Sequence, residues 1–174
     1  MKPMPTLAAC VLVLASFAAR AQAAGEFTLH AGQVHFRAPA EWTAVMEKTD
    51  GNPQAIAFSV PDASASGSND SATVTVKSRQ LANAAQFATV VQEEFERSKQ
   101  QPGYASAGSA SGSSTHHYTV VRGGTTYDVR DSFTLLGTVA VEVRCQRPVL
   151  AQTPADWNAG FDSACAGVVA SLQP

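Results

Sequence analysis

The sequence predicts an α+β fold: an antiparallel β-sheet carrying two long helices, one after the first group of strands and one at the C-terminus. Three observations predict it. Stretches such as 72–79 and 138–147 alternate apolar and polar residues with a period of two, the mark of a strand with unlike faces. Two others, 83–99 and 153–172, repeat apolar residues every three or four positions, the mark of an amphipathic helix. Glycine, proline and Asn/Asp clusters separate the stretches and supply the turns.

Taken in order, 26–29 and 34–37 flank Ala31-Gly32-Gln33 as a tight hairpin, and Pro39 stops the second strand. An extended run starts at Trp42 and reaches Glu47. Asp50-Gly51-Asn52-Pro53 is a strong turn signal, 55–60 is a strand ended by Pro61, and 62–71 is a Ser-rich loop. In the next strand Ala72, Val74 and Val76 face one way; Thr73, Thr75, Lys77 and Arg79 face the other. Asn83 caps the first helix, with Gln86 at capping-box spacing. Phe87, Val91 and Phe95 form its stripe, and Pro102-Gly103 ends it. After a Ser/Gly-rich loop, 105–115, three strands (116–122, 125–135 and 138–147) form a meander turned at Gly123-Gly124 and Gly137. Thr153 caps the final helix and Pro154 lies in its first turn. Its stripe is Trp157, Phe161, Cys165, Val168 and Leu172.

The N-terminus reads as an export signal, residues 1–23, ahead of one domain, 24–174. Lys2 is the positive end, 7–19 is an apolar run, and Ala21-Gln22-Ala23 offers small residues for cleavage between Ala23 and Ala24. A run of 13 residues is too short to cross roughly 30 Å of hydrocarbon, which takes about 20. No other stretch qualifies, so no transmembrane segment is expected. Leu7-Ala8-Ala9-Cys10 has the form of a lipobox but lies at the start of the apolar run instead of following it, and Cys10 is read as part of the discarded signal. The expected location is therefore periplasmic or secreted. Loss of Lys2 and Arg20 leaves 10 basic against 14 acidic residues, a net charge of −4. A weakly acidic chain lacks the basic field that nucleic acid or anionic lipid would require.

The remaining cysteines, Cys145 and Cys165, are an even pair in an oxidising compartment. Period two puts Cys145 on the Val139–Val141–Val143 face of its strand, and period 3.6 puts Cys165 on the Trp157–Phe161 face of its helix. If that stripe packs on that face, the sulfurs meet, and a Cys145–Cys165 disulfide is expected.

The segment Phe36-Arg37-Ala38-Pro39-Ala40-Glu41-Trp42 resembles the apolar-x-x-Pro-x-x-Trp signature of the PsbP-like superfamily, which includes DcrB-like and LpqN-type envelope proteins. The order of elements is similar as well, from the N-terminal hairpin to the terminal helix, over nearly all of 26–173. The resemblance implies a PsbP-like α/β/α sandwich and mostly non-enzymatic roles: assembly factors, binding modules and envelope accessories. The family has no common catalytic set, so the resemblance implies no catalytic residue.

The residues themselves offer little chemistry. His116 and His117 are adjacent in a strand and point to opposite faces, so they cannot chelate one ion together. His30 and His35 can approach across the first hairpin, but no third ligand is placed. Gly108-Ser109-Ala110-Ser111-Gly112 has alanine where a nucleophile elbow has serine, and Gly123-Gly124 lacks the Lys-Ser/Thr of a phosphate loop. No metal, cofactor or catalytic residue is expected. Asn69-Asp70-Ser71 fits a glycosylation acceptor, which matters only in a eukaryotic secretory pathway.

One constellation stands out. Asp128 and Arg130, Glu142 and Arg144, and Lys77 and Arg79 share strand faces pairwise. If their strands are neighbours, the six make a mixed polar surface on the side away from the Val139–Val143 face. It is either a docking surface or anion site, or a solvated face with cross-strand ion pairs, the ordinary outcome of a one-sided sheet. Trp42 is read as core.

The expectation is an exported, non-enzymatic accessory or binding protein with a protein partner in the cell envelope or a small ligand. The alternatives are a periplasmic immunity protein neutralising a secreted toxin and, third, a hydrolase using the meander face or the Ser/Gly loops.

Overall fold

The computed structural model describes residues 24–62, 71–108 and 114–174. The export signal expected over 1–23, residues 63–70 of the first loop and residues 109–113 of the second lie outside the described residues. Two strands, β1 (Ala24–Leu29) and β2 (Val34–Pro39), pair as an antiparallel ribbon turned by His30–Gly32. The other strands are β3 (Thr43–Lys48), β4 (Gln54–Val60), β5 (Ala72–Gln80), β6 (Ala105–Gly108), β7 (Thr115–Arg122), β8 (Thr125–Leu136) and β9 (Val139–Pro148). They form one antiparallel sheet in the order β3-β4-β5-β9-β8-β7-β6. The helices are α1 (Phe87–Lys99) and α2 (Ala155–Ala170).

The meander expected at the back of the chain thus lies beside β5, and β9 becomes a central strand between β5 and β8. Its valine face carries the main core. Val139, Val141, Val143 and Cys145 pack with Val74 and Val76 of β5, Ile56 and Phe58 of β4, and Phe161, Cys165 and Val168 of α2. The β1–β2 ribbon closes the same core with Leu29, Val34, Phe36 and Ala38. Phe27, Phe36 and Phe58 meet there, Phe27 edge-on to Phe58 with ring centroids 4.9 Å apart. The end of α2 is tied to the ribbon by paired backbone hydrogen bonds between His35 and Gln173, 2.8 and 3.1 Å, and by the Arg37 N–H donating to Ser171 Oγ at 2.9 Å.

Among the described residues, the other face is covered from the middle of the sheet toward β7. There α1 lies over β9, β8 and β7, and Phe95 packs on Phe133 and His116. The α+β class stands, but the expected pair of long helices flanking the sheet is not borne out. The helices have 13 and 16 residues, each covers part of one face, and the β1–β2 ribbon shares the α2 layer.

Several local expectations also change. Residues 105–108, expected in a loop, pair with β7 as an exposed edge strand, because β7 offers an unsatisfied ladder whatever side chains its partner carries. Pro154, not Thr153, is the N-cap of α2, and no side chain caps it. Asn83 caps the short 3-10 turn Ala84–Gln86 that leads into α1, its Oδ1 accepting from the Ala85 N–H at 3.1 Å, while Gln86 Oε1 accepts from the Ala82 N–H, also at 3.1 Å; α1 itself starts from Gln86 with no side-chain cap. β3, the other edge, is exposed along its whole length and is bulged between Ala44 and Met46, an irregularity that discourages strand addition from outside.

Candidate functional site

The register divides the six charged residues that the sequence groups together. Lys77 lies opposite Glu142, and Thr75 opposite Arg144, so Lys77, Arg79, Glu142 and Arg144 share the α1 side. Arg130 lies opposite Cys145, which puts Arg130 and Asp128 on the other side, with the disulfide. The physical reason is in β8. Tyr127, Val129 and Phe133 are its apolar set and lie beneath the α1 side, so the apolar faces of β8 and β9 point in opposite directions. A single polar surface holding all six is not formed.

Beneath α1 the carboxylates Asp131, Glu142 and Glu94 are buried and paired with Arg144, Lys77 and Arg97. Arg144 Nε and Nη2 donate to the two oxygens of Asp131 at 2.8 and 2.9 Å, and Nη2 also lies 3.1 Å from Glu142. Lys77 bridges Glu142 to Glu94 of α1, the latter at 2.9 Å, and Arg97 closes on Glu94 from one turn along. Tyr118 donates to Asp131 at 3.0 Å. Burial holds the Glu142 carboxyl above the usual carboxylate range, against the opposing pull of Arg144 and Lys77. Burial also raises Glu94, but hydrogen bonds from Arg97 and Lys77 outweigh it and bring that group below its ordinary value. Burial pushes the Tyr118 hydroxyl up to about 12, with Asp131 adding to the effect. Three carboxylates meet three cations, so the array is neutral. It fastens α1 to β5, β8 and β9.

On the disulfide side, Asp128 contacts His117 and accepts from Arg147 at 2.7 Å. Arg147 and Arg130 reach Asp162 of α2 at 3.5 and 4.0 Å. These pairs surround the Cys145–Cys165 bond, whose Cα atoms are 6.3 Å apart. His116 and His117 do point to opposite faces: His116 is buried with Phe95 and Tyr104, His117 is half-buried beside Asp128.

The concave site lies elsewhere, where three parts of the chain converge. Pro39, Glu41 and Trp42 come from the turn between β2 and β3, Val60 and Pro61 from the end of β4, and Trp157, Gly160, Phe161 and Ala164 from α2. They enclose a cleft of about 290 Å³. Trp157 stacks on Phe161 at 5.5 Å, with ring planes 16° apart, and its Nε1–H donates to the Pro61 carbonyl at 3.1 Å. Trp42 is 8% exposed, wedged against Phe58 at 6.1 Å. A wider hollow of about 640 Å³ over the outer side of α1 is lined by that helix alone, including Gln92, Glu93 and Glu96, so it has a floor and no walls.

With this geometry in place, solved structures of similar shape can be compared. LpqN of Mycobacterium tuberculosis, described as involved in cell envelope biogenesis, gives a TM-score of 0.52 at 15% identity over 80% of this chain and 82% of that one. In fold, the chain is similar to LpqN. A protein from Bacteroides thetaiotaomicron VPI-5482 gives 0.51 at 15% identity over 84% of this chain, which spans 47% of that one. No family model and no curated protein matches the sequence. At 15% identity the likeness to LpqN is one of backbone architecture, so the site has to be argued from this chain's own side chains.

Sequence reasoning missed the cleft although it singled out most of its parts. Pro39, Trp42, Pro61, Trp157 and Phe161 each appear there as a strand stop, a core residue or a helix stripe. What joins them is a contact between residues about a hundred positions apart, Trp157 on Pro61, which no local period encodes.

Proposed function

We propose that this protein is an exported, non-enzymatic accessory of the cell envelope that acts by binding, and that its binding site is the cleft between Trp42 and Trp157. One observation carries the reading: walls from three separate elements surround an aromatic concavity that opens to solvent, close to the lower end of the roughly 300–1,000 Å³ typical of small-ligand sites. The disulfide suits an oxidising compartment. The fold shared with LpqN supports an envelope setting.

Gly160 provides the test. A Cβ added there meets nothing within 4 Å, so this lining position admits a side chain without a clash at its first atom. Replacing a helical glycine also favours the helix, by up to about 1 kcal/mol. In an NMR screen of small envelope-derived molecules against the mature protein, binders should shift the indole signals of Trp42 and Trp157. Gly160→Leu should abolish those shifts and leave stability equal or higher. Binders that shift other regions only, or that are turned over, would remove this reading.

A further inference from the structure

We infer that the cleft selects a small organic cation, an alkylammonium group with apolar substituents, and that Glu41 is its counter-ion. The inference rests on the cleft being a binding site and adds the chemistry of the occupant.

The walls decide the charge. Of the nine residues lining the cleft, Glu41 alone is ionisable, and no lysine, arginine or histidine lies among them. An anion would meet a carboxylate and no cationic side chain among the lining residues. Glu41 is exposed at the mouth, where it can meet a ligand's charge without itself being desolvated in advance. The whole mature chain is acidic as well, with 14 acidic against 10 basic residues once 1–23 are removed, so its net field favours approach of a cation.

The walls also decide the rest of the ligand. The indole N–H of Trp157 is already given to Pro61, so that ring presents its π system and not a donor. Trp42 and Phe161 supply further rings, while Val60, Ala164 and the two prolines supply apolar surface. A sugar or a peptide would bring hydroxyls or carbonyls to walls with few polar partners, and each group left unpaired would oppose binding. A positive charge spread over methyl groups suits the site on both counts. Aromatic faces attract it through their quadrupole, and its methyl surface loses little hydration. The rings, the lone carboxylate and the modest volume fit a quaternary ammonium group on a short chain.

Both tryptophans of the chain line the cleft, so tryptophan emission, excited at the red edge where tyrosine does not absorb, reports on this site. The experiment titrates the mature protein with choline, with tetramethylammonium, and with 3,3-dimethylbutan-1-ol, the uncharged isostere of choline, at constant ionic strength. Choline and tetramethylammonium should give saturable changes, and the isostere should bind at least about tenfold more weakly. Glu41→Gln should bring choline to the level of the isostere without changing the isostere, and Gly160→Leu should abolish both responses. Equal binding of choline and isostere, both lost in Gly160→Leu, would overturn the cation inference and leave the cleft as an apolar site. Choline preference unchanged by Glu41→Gln would also overturn it. No response from any probe would overturn the inference too, and the proposed binding function would then stand or fall on the wider NMR screen.

Discussion

Asp131 faces Arg144 directly across the β8–β9 ladder and accepts two hydrogen bonds from its guanidinium, at 2.8 and 2.9 Å, with the carboxylate wholly out of water. Tyr118, itself fully buried, gives Asp131 a third. A buried carboxylate held in this way fixes the guanidinium in turn, and through Glu142 and Lys77 the order extends to Glu94 on α1.

The first prediction follows from that pair. Asp131→Ala leaves Arg144 and the Tyr118 hydroxyl without their acceptor, so it should cost about 3–5 kcal/mol by urea unfolding. Adding Arg144→Met to it should recover a good part of the loss, because the unpaired charge goes as well. A single variant within 1 kcal/mol of wild type, on the order of a surface pair, would show that the pairing does not stabilise the fold.

The strands and the disulfide are legible in the sequence because each depends on a short-range period. The alternation through Val139, Val141, Val143 and Cys145 fixes one face, and the stripe through Phe161, Cys165 and Val168 fixes another. A hydrophobic core has few ways to join them. The charged constellation fails for a different reason. Alternation in β8 tells which residues share a face, not which side of the sheet that face takes. Arg130 and Arg144 fall on opposite sides because Arg130 is in register with Cys145, on the α2 face, while Arg144 is in register with Asp131, beneath α1. The cleft is less legible still, since it exists only once Trp157 reaches Pro61.

The second prediction concerns the cross-link. Cys145 and Cys165 are 20 residues apart and both buried, so the bond restricts the unfolded chain and opens no strained surface site. Cys145→Ser combined with Cys165→Ser should lower stability by about 3 kcal/mol, the loss expected for a loop of this order. Reduction of the wild type under denaturing conditions should give a similar midpoint on refolding. A midpoint indifferent to reductant, with two free thiols by mass spectrometry, would show the bond is not made.

The third is a pH dependence centred on His116. Burial pushes its imidazole below the ordinary value of 6.5, against the attraction of Asp131. Tyr104 Oη contacts Nε2 at 2.9 Å, Nδ1 is buried without a hydrogen-bond partner, and Phe95 covers the ring at 4.3 Å. Lys99, Arg144 and Glu96 are the other charges that act on it. Because the folded value is the lower one, the unfolded chain takes up the proton first as pH falls. Stability is therefore complete above about 6.5 and declines below it. Glu142, raised in the fold, acts with the opposite sign: its contribution is complete below 4.5 and is lost as pH rises. Unfolding free energies between pH 7.5 and 5.5 should fall in the wild type and flatten in His116→Phe. Equal slopes would place the proton uptake elsewhere.

The fourth compares two glycines that share a left-handed backbone. Gly103, in the turn that follows α1, has φ of +65°, and Gly137, in the β8–β9 turn, has φ of +59°. An alanine at either pays for that conformation, about 1–2 kcal/mol. At Gly137 the added Cβ meets nothing within 4 Å. At Gly103 it would lie 2.5 Å from Val121 Cγ2 and 2.8 Å from Val121 Cβ, and the backbone there is held by the Val121 N–H donating to Pro102 at 2.8 Å. Neither side can retreat without breaking the contact that seats the end of α1 on β7. Gly103→Ala should therefore be the more destabilising by at least about 1 kcal/mol, the lower end of what overpacking costs. Equal losses in the two variants, measured by thermal or urea unfolding, would mean that the turn after α1 is free to move away from β7.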